Sequence, residues 1–313
     1  MADTHIPQNK KWKYVPELLL VLVTILWGTT FILTKNTIQS IPSFLYLAIR
    51  FGIAFIAMVP FLFRYRNFFT SINNWKISVV AGTLYFVSIM SQTIGLQFTS
   101  ASKTSFITAL GVIFVPLFVS IFYKQKIHYL LWIAVILAII GVGLLSLPKV
   151  ERISIGDPLV LICAITYAFY VIYIGRHLHE IQIIPFTVVQ LFIISFFSLI
   201  FSLVIDFGIM SEPLEITSIF SLQNTIVLLY LGLIATTLTF ILQSYGQRFV
   251  SSTRASLIFA FEPFFATLFA ILGGELLNWL IGIGMVLIFI AVILSIFSPQ
   301  KSLQESLTES KIP

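Results

Sequence analysis

The stretch QTIGLQFTSASKTSFITALGVIFVPLF, from Gln92 to Phe118, returns as QSYGQRFVSSTRASLIFAFEPFFATLF, from Gln243 to Phe269. The copies lie 151 residues apart and are identical at ten of twenty-seven positions. The matches include Gln92/Gln243, Gly95/Gly246, Ser100/Ser251, Ser105/Ser256 and Phe118/Phe269, and Lys103 stands opposite Arg254 as a conservative pair. A strongly apolar unit that occurs twice in one chain is the usual trace of a membrane protein assembled from two structural repeats.

Outward from the repeat, the rest of the chain has the same solvent preference. Of its 313 residues 58% are hydrophobic and 10% charged, with mean hydropathy +1.04. Soluble domains hold about 45–50% apolar and about 25% charged residues, so the chain reads as an integral membrane protein. A bilayer core of about 30 Å needs roughly 20 apolar residues per helix. Ten such runs stand out, at 17–37, 44–63, 76–97, 103–123, 128–147, 158–176, 184–206, 223–245, 253–274 and 277–297. They do not alternate as lipid-facing barrel strands would. Helices remain, because each satisfies its own backbone groups in lipid. The expected fold is therefore all-α, with ten transmembrane helices.

Local chemistry marks several ends. Asp157-Pro158 supplies a capping carboxylate and a residue without N–H where a sixth helix begins. Polar breaks at 64–74 and 211–223 separate other helices. Lys10, Lys11 and Lys13 precede an apolar run that is too long for a cleavable leader and has no small-residue cleavage site, so the first helix is expected to stay. Cys163 is alone, which leaves no disulfide framework and no thiolate metal site.

With both termini on one side, that side receives thirteen Lys/Arg and the other four, Lys35, Lys103, Lys149 and Arg152, with Arg50 inside a helix. The positive-inside rule then places both termini in the cytoplasm. The net charge of +6 thus belongs to loops that set orientation, and no nucleic-acid partner is implied. Each half holds five helices, an odd number, so equivalent helices cross in opposite directions and the repeat is inverted. The first two helices of each half align at a spacing of 140, with Trp27 on Tyr167, Gly28 on Ala168 and Arg50 on Gln190. The organisation expected is a tail at 1–16, a first five-helix repeat at 17–150, a second at 151–298, and a polar tail at 299–313 whose Ser, Glu and Lys content reads as disorder. Inverted halves permit alternating access about a site near the midplane.

Trp27-Gly28 with Phe31, Arg50, the run from Thr99 to Ile107 leading to Pro116, Gly156-Asp157, Glu262-Pro263 and Gly274-Glu275 resemble, in order and spacing, the EamA branch of the drug/metabolite transporter superfamily. The resemblance covers nearly the whole chain. It implies ten helices in two inverted halves, and export or exchange of small metabolites, often amino acids. Tyr167 departs from the pattern, where such proteins often carry Trp.

The residues that could carry transport are few. Glu262 lies about ten residues into its run, roughly 15 Å deep at 1.5 Å per residue. A mid-membrane carboxylate is a functional hypothesis by default; alternatively a protonated Glu262 bonds a carbonyl freed by Pro263. Arg50, about 10 Å deep, could fork onto a carboxylate or phosphate, or anchor neighbouring helices. Lys103 and Arg254 start symmetric helices on opposite faces, either as electrostatic gates or as snorkelling headgroup contacts. Arg254, Ile258, Glu262 and Phe265 fall on one helical face, as do Lys103, Ile107, Gly111 and Phe114. Trp27 and Tyr167 sit away from the interfacial belts, as cavity wall or ordinary packing. Gln92, Gln190 and Gln243 could orient a ligand or bridge helices. Gly82 and Gly232 suit close helix approach.

Other classes find less support. There is no His-Glu-x-x-His, Gly-x-Ser-x-Gly or P-loop signature, so no enzyme, metal or cofactor is expected. His177 and His179 read as a solvated turn. The expectation is a secondary transporter in a bacterial inner membrane, moving a small molecule such as an amino acid outward, with proton coupling through Glu262 or none. An importer or exchanger of a nucleotide-type or cofactor metabolite is the alternative, and nothing in the chain demands more than a monomer.

Overall fold

The computed structural model describes residues 14–146, 154–209, 216–219, 221–272 and 279–299. Gly274 and Glu275, the junction at 147–153, the charges at Lys10, Lys11, Lys13, Lys149, Arg152, Lys301 and Lys311, and the tail from 300 onward lie outside the described residues. Ten helical segments cross the bundle: α1 (Val15–Thr37), α2 (Ser43–Arg64), α3 (Ile72–Phe98), α4 (Ala101–Tyr123), α5 (Tyr129–Ser146), α6 (Gly156–His177), α7 (Ile183–Ile209), α8 (Leu222–Phe249), α9 (Ser252–Phe259 and Glu262–Leu272) and α10 (Trp279–Phe297). No strand occurs among the described residues. The rings of Tyr14 and Phe297 approach to 5.9 Å, so both chain ends leave at one face, here the termini end, opposite the far end.

Serine caps start four of the helices in a repeating pattern. Ser71 and Ser221 accept from the backbone N–H of Asn74 and Asn224, and Ser100 and Ser251 from that of Lys103 and Arg254. Each cap satisfies a backbone donor that a helix start leaves unpaired. At the far end the Asp206 carboxylate does this from another helix, accepting the Leu45 N–H of α2 at 2.9 Å.

Contacts between the halves obey the inverted repeat residue by residue. A Cβ on Gly95 of α3 would meet Val160 Cγ2 at 2.7 Å and Gly156 O at 2.9 Å. A Cβ on Gly246 of α8 would meet Leu20 Cδ2 at 2.6 Å and Pro16 O at 2.9 Å. Positions 156 and 160 are 16 and 20 advanced by 140, so these are the same crossing made once at each end. Gly82 lies against Ile193 and Gln190 as Gly232 lies against Ile53 and Arg50. In lipid, helices associate through such close packing, since apolar side chains gain little by leaving lipid tails.

The spacing between α3 and α8 is 150 at Gly82/Gly232 and Ser71/Ser221 but 151 from Gln92/Gln243 onward. Between these points α8 contains a π-helical stretch, Tyr230–Leu238. A π-bulge accommodates one extra residue in a helix, which accounts for the change of register. Within it Thr237 Oγ1 donates to Gly232 O, five residues back, at 2.9 Å.

Large apolar side chains such as Leu18, Ile56, Phe63, Ile136, Leu203 and Phe289 are exposed on the outside of the bundle, as a lipid-facing surface requires. The centre is aromatic: Tyr85 packs on Phe240 at 4.6 Å, Tyr170 at 5.0 Å and Phe51 at 6.1 Å between ring centroids.

The Gly95–Gly156 crossing yields a stability test. A Cβ on Gly156 would lie 2.3 Å from Gly95 O, a backbone atom, so one helix has to shift. Gly156→Ala is expected to cost about 1–3 kcal/mol and to lower the melting temperature in detergent. Gly143→Ala, with nothing within 4 Å of its Cβ, should leave it unchanged or slightly raised. Equal melting temperatures for the two variants would refute the crossing.

Candidate functional site

Three of the helices are interrupted within the membrane, and two interruptions meet. In α1 the regular helix stops at Gly28 and resumes at Thr30; in α9 it stops at Phe259 and resumes at Glu262. At the second break the Phe261 N–H bonds to Ile258 O, three residues back, and Pro263 brings no N–H. A Cβ on Gly28 would lie 2.9 Å from Ala266 N, which sets the α1 break against the second piece of α9. The third break, at Leu110 in α4, is the repeat counterpart of Phe261. The runs 103–123 and 253–274 were each expected as one helix, the second with a carbonyl freed by Pro263; each is two pieces, so the faces drawn from Lys103 and from Arg254 both cross a break.

Beside the meeting point lies a cavity of about 50 Å³, counted as space open to the centre of a water-sized sphere. One water requires about 10–15 Å³ on that measure, so several fit. Trp27, Arg50, Gln92, Tyr167 and Glu262 all line it. Further lining comes from Thr30, Thr34, Tyr85, Ser88, Thr108 and Cys163. Thr34, near the end of α1, and Leu96, near the end of α3, place the cavity between the midplane and the far end.

Arg50 is fastened on one side. Its Nε donates to Thr236 Oγ1 at 2.9 Å, inside the π-helical stretch, and its Nη1 to the Tyr46 hydroxyl at 3.1 Å, itself 2.8 Å from Thr34 Oγ1. Two of the five donors of a guanidinium are thus spent on holding it, while the side chain lines the cavity. Glu262 opens the second piece of α9, where a helix N-terminus favours negative charge. No hydrogen bond from a described residue reaches its carboxylate, and it is not within ion-pair distance of Arg50. The Gln92 amide donates to Thr108 Oγ1 at 3.1 Å, and Cys163 Sγ lies 3.3 Å from Ser88 Oγ. The Trp27 ring meets Tyr167 edge-on at 6.1 Å and Phe259 at 5.5 Å.

Four of the nominated residues stand elsewhere. Gln243 backs the wall, donating to the Tyr167 hydroxyl at 3.2 Å and to Gln247 Oε1 at 2.9 Å. Gln190 is fully buried against α3. Lys103 and Arg254 are engaged by protein rather than reaching headgroups: Lys103 Nζ lies 2.5 Å from Asp157 Oδ2, and Arg254 Nη1 3.1 Å from Glu17 Oε1, with Arg254 Nη2 also donating to Ser298 O. The expected solvated turn at His177 and His179 is partly buried. The His177 ring stacks on Tyr173, and burial, then the nearby Arg248 guanidinium, holds the His179 imidazole below its usual range.

Tyr85, Ser88 and Thr30 escaped the sequence reading, although the signal was present. Tyr85, Ser88 and Gln92, and Trp27, Thr30 and Thr34, recur at helical spacings of three and four on two apolar helices.

Residues 15–147 and 154–297 each match the family described as the EamA-like transporter family. A protein described as an uncharacterized transporter of Archaeoglobus fulgidus is 28% identical over 283 residues, covering 89% of this chain and 84% of that one. The uncharacterized transporter YoaV of Bacillus subtilis is 23% identical over 260 residues, covering 80% and 85%. A solved structure titled only as a crystal structure of a protein superposes with a TM-score of 0.75 at 13% identity, over 90% of this chain and 95% of that one, a likeness of fold.

The far-end ion pair is open to a direct measurement. Asp157 also accepts from Thr99 Oγ1 at 3.1 Å, Ser154 N at 2.9 Å and Ser154 Oγ at 3.1 Å. Asp157→Asn should cost about 1–3 kcal/mol, read as a lower melting temperature. Adding Lys103→Met should cost less than it does alone, a coupling that a double-mutant cycle measures; additive losses would refute the pairing.

Proposed function

The chain belongs to the EamA-like transporter family, and on that premise we propose that it is a secondary transporter moving a small metabolite, an amino acid or related compound, outward across the cytoplasmic membrane by alternating access. The observation that carries this reading is a guanidinium and a carboxyl group set apart on one cavity. Arg50 is braced by Thr236 and Tyr46, and Glu262, at the start of a half-helix, has no hydrogen-bond or ion-pair partner among the described residues. A zwitterion with a carboxylate and an ammonium complements both at once. The aromatic wall of Trp27, Tyr85 and Tyr167 suits an apolar or aromatic side chain.

The proposed orientation, with the termini end cytoplasmic, is supported by the loop charges, thirteen Lys/Arg against four. Glu262 is the group through which a proton could be exchanged for substrate, because a carboxylate at this depth is stabilised either by a proton or by a cation. The alternative of a nucleotide-type or cofactor metabolite drew on cationic mouths. Those cations are now partnered: Lys103 by Asp157, Arg254 by Glu17, and Lys35 by the carbonyls of Leu96, Gln97 and Thr99. Neither Lys103 nor Arg254, the two cations that reading relied on, is therefore left without a carboxylate partner.

Counterflow in proteoliposomes preloaded with amino acids and nucleotide-type metabolites tests the reading, and saturable exchange of an amino acid is the expected result. Arg50→Gln should lower that exchange about ten- to hundred-fold, the worth of about 1.5–3 kcal/mol for a charged hydrogen bond, in protein that still inserts and stays monodisperse. Unchanged exchange would remove Arg50 from the site. Glu262→Gln, which removes the partner proposed for the ammonium, should lower exchange and abolish its response to an imposed pH gradient; a response equal to that of the unaltered protein would rule out coupling through Glu262.

A further inference from the structure

Four residues on the cavity side of the bundle have counterparts under the repeat. Thr30 corresponds to Tyr170 and Arg50 to Gln190 at a spacing of 140; Gln92 corresponds to Gln243 and Thr93 to Ser244 at 151. The first-named of each pair lines the cavity. Each counterpart is fully buried and lies toward the termini end. Each also carries polar atoms without a hydrogen-bond partner among the described residues: the Tyr170 hydroxyl, both amide atoms of Gln190, Gln243 Oε1 and Ser244 Oγ.

Tyr170, Gln190 and Gln243 belong to one region beneath Tyr85, and Ser244 follows Gln243 in the chain. The Tyr85 ring, part of the cavity wall, packs on Tyr170 at 5.0 Å and on Tyr167 at 6.2 Å. Gln243 holds the Tyr167 hydroxyl, and the Gln190 Cα lies 3.2 Å from a Cβ built on Gly82, one turn from Tyr85 toward the termini end. Buried polar groups are almost always paired, and leaving one unpaired in a low-dielectric interior is unfavourable. Four together, at the symmetry positions of an existing cavity, mark a surface that is wetted in another conformation.

An ion pair stands at the termini end of the bundle. Glu17 at the start of α1 and Arg254 at the start of α9 correspond to Asp157 and Lys103, so the two pairs are one latch repeated at opposite ends. They are unequally satisfied. Asp157 accepts from Thr99 and Ser154 besides Lys103, whereas Glu17 Oε2 and Arg254 Nε have no hydrogen-bond partner among the described residues although both side chains are under 10% exposed. A buried pair left with unsatisfied atoms gains little over its separated, hydrated state.

We propose that Tyr170, Gln190, Gln243 and Ser244 form a second half-site of the substrate path, collapsed in this conformation, and that the Glu17–Arg254 pair is the latch that keeps it shut. Gln190 stands where the other half has Arg50, so this half-site is uncharged. It takes neutral hydrogen-bonding groups of a polar metabolite and releases an anionic group more readily than the Arg50 side does. The inference rests on the transport reading for its meaning, but its test needs no transport.

In a Cys163→Ser background, Ser244→Cys is labelled with a membrane-impermeant maleimide in vesicles of either orientation, and Thr93→Cys reports on the existing cavity. With the latch intact, Ser244→Cys should label slowly from both sides. Glu17→Gln, or independently Arg254→Gln, should raise labelling from the termini end at least ten-fold, and the exchanged pair Glu17→Arg with Arg254→Glu should bring it back down. Labelling in Glu17→Gln and Arg254→Gln as slow as with the intact latch, in protein that remains monodisperse, overturns the proposal. So does acceleration from the far end alone. Counterflow of the same proteins reports on transport separately, so failure of one reading is distinguishable from failure of the other.

Discussion

At each end of the bundle a glycine on the third helix of one half lets it touch the backbone at the start of the other half's first helix, Gly95 on Gly156 and Gly246 on Pro16. The rest of the structure is arranged around these two crossings. Beside each sits an inter-half ion pair, and between them, at the midplane, the interrupted pieces of α1 and α9 meet. Because the crossings are tight backbone contacts they tolerate no gradual loosening; they are made or parted. Rigid halves joined by contacts of that kind favour discrete rearrangement over continuous deformation.

Duplication accounts for the scaffold and its departures for the chemistry. Glycines, serine caps and latch charges recur at fixed spacings. Arg50 answers to Gln190, Glu262 to Gly111, Trp27 to Tyr167, and the π-helical stretch of α8 has no counterpart in α3. That extra residue is not incidental to the site, for it brings Thr236 to the Arg50 Nε. A guanidinium placed this deep needs acceptors that stay put, and a local widening of the facing helix supplies one without any change elsewhere in the repeat.

Helix number, helix limits and the inverted relation were readable in the chain because hydropathy runs and identities at fixed spacing are one-dimensional signals. Five of the nine nominated residues share the cavity because each was an uncommon side chain at mid-membrane depth. What escaped reading was three-dimensional. Lys103 and Arg254 read as gates or as headgroup contacts, since their partners, Asp157 and Glu17, lie 54 and 237 residues away in sequence. Pro263 signalled the break at Phe261, because a proline frees the carbonyl four residues back, whereas the break at Leu110 interrupts an apolar run with no such marker.

The break in α9 explains how a carboxylate can occupy the middle of this membrane protein. Within a continuous helix Glu262 would face a backbone whose N–H groups are all engaged. At the start of a new helical piece it sits at the positive end of that piece, with the first-turn N–H groups released from the preceding turn. Pro263 removes one of those donors, and the Gly28 gap of α1 lets the piece pack closely without enclosing the carboxylate. The same interruption thus places the Glu262 carboxyl group on the cavity. Gly111, at the matching break of α4, has no side chain to exploit the corresponding position, and so the two breaks, alike in backbone, provide one site and not two.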